Sequence, residues 1–160
     1  MPTPRAPRIG TAGVATNFNG FSVPCNGNCN AVISTTITEG TLPITAVLRR
    51  SGSNIQTLTV NALGEIRFTG VCAGSYTVSL TNSVGSVTSP AITVTQPSRL
   101  AATTDIKCTD GDADNGRIQV DLNNTGVPPY TFNWIGLAST TNVIDNLRAG
   151  TYSVSITDAN

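Results

Sequence analysis

The phrase Ala-Gly-Thr-Tyr-Ser-Val-Ser-Ile-Thr-Asp-Ala-Asn at residues 149–160 nearly copies Ala-Gly-Ser-Tyr-Thr-Val-Ser-Leu-Thr-Asn-Ser-Val at residues 73–84. Six of the twelve positions are identical, and four more are Ser/Thr, Leu/Ile or Asn/Asp exchanges. In both copies apolar residues alternate with Ser or Thr, the period of a strand with one buried face. A chain of 160 residues that contains this phrase twice is expected to form two small units, each with its own core.

Composition narrows the fold class further. Thr (25) and Ser (13) make up nearly a quarter of the chain, while charged residues are 11% and aromatic residues 5%. Such a chain is too apolar for disorder and too poor in Ala, Leu, Glu and Lys for helices, so it reads as all-β.

Residues 1–15 hold Pro and Gly without sustained periodicity and read as a linker or N-terminal arm. From residue 16, short strands alternate with turn signals every eight to twelve residues, as in a β-sandwich. The expected inward rows are Ile33 and Ile37; Ile44, Ala46 and Leu48; Ile66 and Phe68; Tyr76, Val78 and Leu80; Ile92 and Val94. Turns fall at EGTLP, RSGSN, ALGE and SVGS, giving about seven strands in a first unit over residues 16–97. Pro97 in TQPSRL cannot serve a central strand and marks a short linker, across which the units are expected to stack with limited freedom.

A second cycle covers residues 98–160, with inward rows Ile118, Val120 and Leu122; Tyr130, Phe132 and Trp134; Val143 and Ile144; Tyr152, Val154 and Ile156. In the first unit a further strand at about 86–95 follows the repeated phrase, and in the second none does. The second sandwich is therefore expected to lack its last strand and to expose unpaired backbone groups and an apolar seam.

The second unit contains KCTDGDADNGRIQVDLNNTGVPPYTFNWIG followed by IDNLRAGTYSVSITDAN. This order of a Cys before an Asn/Gly/Asp loop, Asn-Gly opening a strand, PPYTFNW and a closing AGTY-x-V-x-ITDA resembles the SprB-type repeat of Bacteroidetes cell-surface adhesins. Residues 16–98 match more loosely through PCNGNCNAVIS, LPITAVL and VCAGSYTVSLTNSVGS, and Cys72 departs from the pattern. The resemblance implies two tandem immunoglobulin-like β-sandwich domains. It also implies arrays on large proteins exported by type IX secretion and displayed as surface filaments for adhesion and gliding motility. In that family Gly-Cys and a last strand usually follow the closing phrase, which makes residue 160 read as a boundary within a longer array.

In such a sandwich the starts of the second and sixth strands lie at one end, bringing Cys29, or else Cys25, towards Cys72. Four Cys permit three pairings; Cys29 with Cys72 is the preferred disulfide, leaving Cys108 to find a partner beyond residue 160. Four Cys in a small β chain with one Lys and no His fit an oxidising, extracellular setting better than a cytosol. No apolar run reaches the length of a membrane span either, so an extracellular, cell-surface location without direct membrane insertion is expected.

Catalysis is not expected, because the chain has no His and one Lys, so the usual general bases are missing. Nucleic acid is not an expected partner either. Residues 1–98 carry 5 − 2 = +3 and the remainder 4 − 7 = −3, with no basic stripe. Asp110, Asp112 and Asp114 alternate as in a calcium loop, with Asp121 at the twelfth position. Against calcium, the Gly expected sixth is Asn115, and polar turn residues are ordinary sandwich-loop content. Trp134 with Tyr130 and Phe132 would stack surface glycans if exposed, but their alternation reads as core. Tyr76 and Tyr152 are expected to bury their rings and hydrogen-bond at a strand corner.

The expected function is a non-enzymatic spacer within a cell-surface filament or adhesin, whose partners are neighbouring repeats or subunits. Two alternatives stand beside it. One is a filament subunit polymerising by β-strand donation, with residues 8–18 as donor. The other is a carbohydrate-binding accessory module.

Overall fold

The computed structural model describes residues 3–108 and 114–160, which form strands and no helix. The chain divides into two compact units, Met1–Gln96 and Pro97–Asn160. Each is all-β and antiparallel, of immunoglobulin-like sandwich type.

The first unit contains β1 (Arg8–Val14), β2 (Ala31–Glu39), β3 (Ile44–Arg50), β4 (Ser53–Val60), β5 (Gly64–Val71), β6 (Gly74–Thr81), β7 (Ser86–Thr88) and β8 (Ile92–Val94). One sheet has the order β1-β2-β5; the other runs β4-β3-β6-β7, with β8 also on β6. Residues Ile33, Ile37 and Phe68 from the first sheet meet Ile44, Leu48, Val78 and Leu80 from the second, all essentially inaccessible to water. Each such side chain contributes about 1.5–3 kcal/mol through burial. Ile66, expected inside, is only half-buried against this core.

The reading of residues 1–15 as an arm is corrected. Residues 8–14 pair with β2 from Arg8↔Glu39 to Val14↔Ile33, so they are the first strand of their own unit. Register shifts at Arg8/Ile9 and Ile9/Ala12 interrupt the pairing, which is why no clean alternation marks this strand in the sequence. The segment named as a donor to another subunit is thus occupied in cis through most of its length.

Strands β7 and β8 are one edge strand with a break. Both lie on β6, which pairs Ser79 to Thr88 at one end and Gly74 to Val94 at the other. Pro90 has no N–H to give, and the break at Ser89-Pro90 is bridged locally: Ser89 N–H donates to the Val78 carbonyl (2.9 Å) and Ser89 Oγ accepts the Val78 N–H (3.0 Å).

The second unit contains β9 (Thr103–Lys107), β10 (Gly116–Asp121), β11 (Thr131–Trp134), β12 (Val143–Leu147) and β13 (Val154–Thr157). They form the sheet β12-β10-β9 and the pair β11-β13. The ladders align the two units residue by residue. Ile33 faces Phe68 and Val14, as Ile118 faces Ile144 and Ile106. Ala46 faces Leu80 and Leu48 faces Val78, as Phe132 faces Ile156 and Trp134 faces Val154. Pro43 and Pro129, each after a cis peptide bond, occupy matching places before β3 and β11. Strands β9 to β13 therefore repeat β1, β2, β3, β5 and β6. Among the described residues the second unit has no counterpart of β4, β7 or β8.

The missing β4 is a matter of chain length. Leu48 and Phe68 are twenty residues apart, while their counterparts Trp134 and Ile144 are ten apart, too few for a hairpin strand and its return.

Candidate functional site

Cys29 and Cys72 form a disulfide, while Cys25 and Cys108 are free and exposed. The pairing follows from the sheet: Ala31 faces Val71 at the end of the β2/β5 ladder, which brings the residues just outside it together. Immediately beyond, Tyr76 buries its ring and donates its hydroxyl to the Cys72 carbonyl (2.9 Å). Tyr152 makes the same four-residue return to the Arg148 carbonyl (2.9 Å), but its ring is only half-buried. The corner is thus built twice, with a disulfide beside one copy and Arg148 in its place in the other.

Of the four carboxylates named for calcium, the structure describes two, Asp114 and Asp121. Asp110 and Asp112 lie outside the described residues. Asp114 accepts Arg148 Nε at 2.7 Å, and Asp121 caps its own turn by accepting the Asn123 N–H at 2.9 Å. Strand β10 separates them, and its five steps of about 3.3 Å span roughly 16 Å, far beyond one coordination sphere. Among the described residues no group of three or more His, Cys, Asp or Glu side chains could hold a metal.

Trp134 is 2% exposed, and its indole N–H donates to the Thr141 carbonyl (2.9 Å). It fills the second core with Val120 and Leu122, so its ring offers no stacking platform to a sugar. Exposed ion pairs account for Glu39 with Arg5 and Arg8, Glu65 with Arg67, and Asp145 with Arg117. Such pairs are worth about 0–1 kcal/mol each.

The feature that distinguishes the second unit is the outer edge of β13. In the first unit β6 is flanked by β3 on one side and by β7 and β8 on the other. In the second, β11 flanks β13 on one side and no described strand lies on the other. The residues Tyr152, Val154 and Ile156 are half-buried, where Tyr76, Val78 and Leu80 are buried.

Beside this edge lies a cavity of about 400 Å³, lined by Ile106, Ile118, Leu147, Gly150, Thr151 and Tyr152 among others. Gly150, Thr151 and Tyr152 correspond to Gly74, Ser75 and Tyr76, which pair with Val94, Thr93 and Ile92 of β8. The cavity thus occupies the place where Ile92 and Val94 complete the first core. Sequence reasoning found the missing strand from the repeated phrase. It did not find the cavity, whose wall includes Ile106 of β9, a strand with every residue exposed and no alternation to mark it.

No protein-family model and no curated protein matches this chain. Among the described residues no helix is long and apolar enough to cross a membrane.

Proposed function

We propose that the chain is a non-enzymatic structural segment of an extracellular filament or adhesin, in which immunoglobulin-like repeats act as spacers. The observation that carries this reading is the residue-level repetition of the two ladders, down to the tyrosine corner and the paired Pro43 and Pro129. A chain that builds the same small sandwich twice across a short Pro-marked junction is organised for length rather than for one concave site. The side-chain inventory agrees: there is no His and one Lys, and most described acidic groups away from Asp105 are engaged in local pairs or turns. The Cys29–Cys72 disulfide fits an oxidising compartment. The resemblance to SprB-type repeats extends the proposal to surface filaments of Bacteroidetes exported by type IX secretion and used in adhesion and gliding.

The test is to join one, two and four copies of the chain in a single polypeptide and measure the maximum dimension in solution by small-angle scattering. A spacer is expected to lengthen in proportion to copy number. Particles that grow only as the cube root of mass, like a single compact globule, would overturn the reading.

A further inference from the structure

We propose that the cavity of about 290 Å³ between β10 and β11 binds one ring of a neutral carbohydrate. The inference does not depend on the spacer reading, and its failure would leave the scattering test untouched. It rests on a gap inside the second unit, between β11 and β12.

In the first unit Ile44 and Ala46 of β3 are flanked by β4, where Val60 and Leu58 face them. Their counterparts in the second unit are Tyr130 and Phe132. The ten-residue step from Trp134 to Ile144 holds no strand equivalent to β4. Large rings thus stand where the first unit has Ile and Ala, and both stay half-buried beside a cavity.

The lining selects a class of ligand. Tyr130 and Phe132 supply apolar ring surface beside the buried Val120 and Leu122. Around them stand Asp121, Asn123, Asn124 and Asn142, all exposed. No Lys or Arg lines the cavity, and its single carboxylate would repel a phosphate or another anion. A fully apolar ligand would strip water from four polar side chains and return no hydrogen bond to them. What fits is a molecule with an apolar face and a rim of hydroxyl groups. A pyranose ring is built that way: aromatic surface takes its C–H face, while carboxylate and amide groups take its hydroxyls.

The polar groups are held in place before any ligand arrives. Asp121 Oδ1 accepts the Asn123 N–H (2.9 Å), and Asn123 Nδ2 donates to Thr103 Oγ1 (3.1 Å). The Asn142 carbonyl accepts the Val120 N–H (2.8 Å), and its side-chain amide donates to the Val120 carbonyl (3.1 Å). The Tyr130 hydroxyl donates to the Thr125 carbonyl (2.9 Å). These bonds leave Asp121 Oδ2, the side-chain oxygens of Asn123 and Asn142, and the Asn124 amide to meet hydroxyl groups. Groups already fixed lose little freedom on binding, which favours affinity in a small site. Ligand pockets usually hold about 300–1,000 Å³, so this one has room for a single ring rather than a long oligosaccharide.

The test titrates the full chain separately with D-glucose, D-galactose, D-mannose and N-acetyl-D-glucosamine, with glycerol as a hydroxyl-bearing control that has no ring. At least one sugar is expected to shift the NMR amide signals of Asn123, Asn124 and Phe132 saturably, with Kd about 1–10 mM. Asn124→Gly removes a side chain at φ +58, where Gly fits without strain, and should weaken binding about fivefold. Asp121→Asn retains the turn bond but loses the charge and should weaken binding about tenfold. Phe132→Leu keeps apolar volume without a ring face and should weaken it about fivefold. The urea midpoint from Trp134 fluorescence is expected to stay in place for Asn124→Gly and Asp121→Asn, which separates lost binding from lost folding. No saturable shift with any of the four sugars at about 0.1 M would overturn the proposal. Equal shifts with glycerol, shifts confined to the first unit, or unchanged affinity in both Asn124→Gly and Asp121→Asn would also overturn it.

Discussion

Val78 and Val154 stand at the same point of two ladders, as do Leu80 and Ile156, yet the first of each pair is sealed from water and the second is half-buried. Local sequence cannot account for the difference, because the two phrases are nearly the same. The environment does: among the described residues β6 has neighbours on both edges and β13 on one. The same strand is therefore a core element in one unit and an edge in the other, and its contribution to stability is set by what lies across from it.

Mutations can sharpen or break this comparison. The largest effect is expected at the disulfide, which the second unit lacks. Replacing Cys29 and Cys72 together with Ala should cost the first unit about 4 kcal/mol, the chain-entropy value for a loop of this size. Calorimetry should show its transition falling, while the urea midpoint from Trp134 fluorescence, which reports the second unit, stays in place. Next, Leu80→Ala should cost about 3 kcal/mol and Ile156→Ala about half as much, since a half-exposed side chain loses less on truncation. Equal losses in denaturant unfolding would mean that β13 is as well covered as β6.

A smaller pair of effects concerns Thr35, which is 1% exposed and has an Oγ1 without a hydrogen-bond partner. The second unit has Val120 at that point of the ladder. Thr35→Val is expected to stabilise the first unit by about 1 kcal/mol, and Val120→Thr to destabilise the second by a similar amount. Opposite shifts of the two melting transitions would check both. Smallest is the tyrosine corner: Tyr76→Phe should cost about 1 kcal/mol and Tyr152→Phe about 0.5 kcal/mol, because water replaces the exposed hydrogen bond more readily.

Much of this architecture could be read from side-chain alternation. Ile33, Ile37, Leu48, Phe68, Val78 and Leu80 were all expected inside and are inside, because each lies on a strand with one wet face. The disulfide was legible once the sandwich was assumed, since strand ends determine which Cys can meet. Strands β1 and β9 were not legible. Their identity comes from backbone pairing to β2 and β10, with Gly and bulges in one and no buried residue in the other, so no periodicity survives in the sequence. Asp121 shows the converse: its spacing suits a coordination loop, and the extended backbone of β10 sets it apart from Asp114, the other described carboxylate of that spacing. Trp134 was legible as core because it alternates with Phe132, and its counterpart Leu48 is also buried.

The Cys29–Cys72 crosslink has a mechanical consequence. It closes a loop with a sequence separation of 43 residues, enclosing β2, β3, β4 and β5. A pull on the two ends of the first unit can draw out β1 at one side and β6, β7 and β8 at the other, but the tension bypasses the enclosed strands through the sulfur bridge. Reduction would release about 150 Å of additional contour, at roughly 3.5 Å for each of those residues. The extensibility of the first unit is therefore set by redox state.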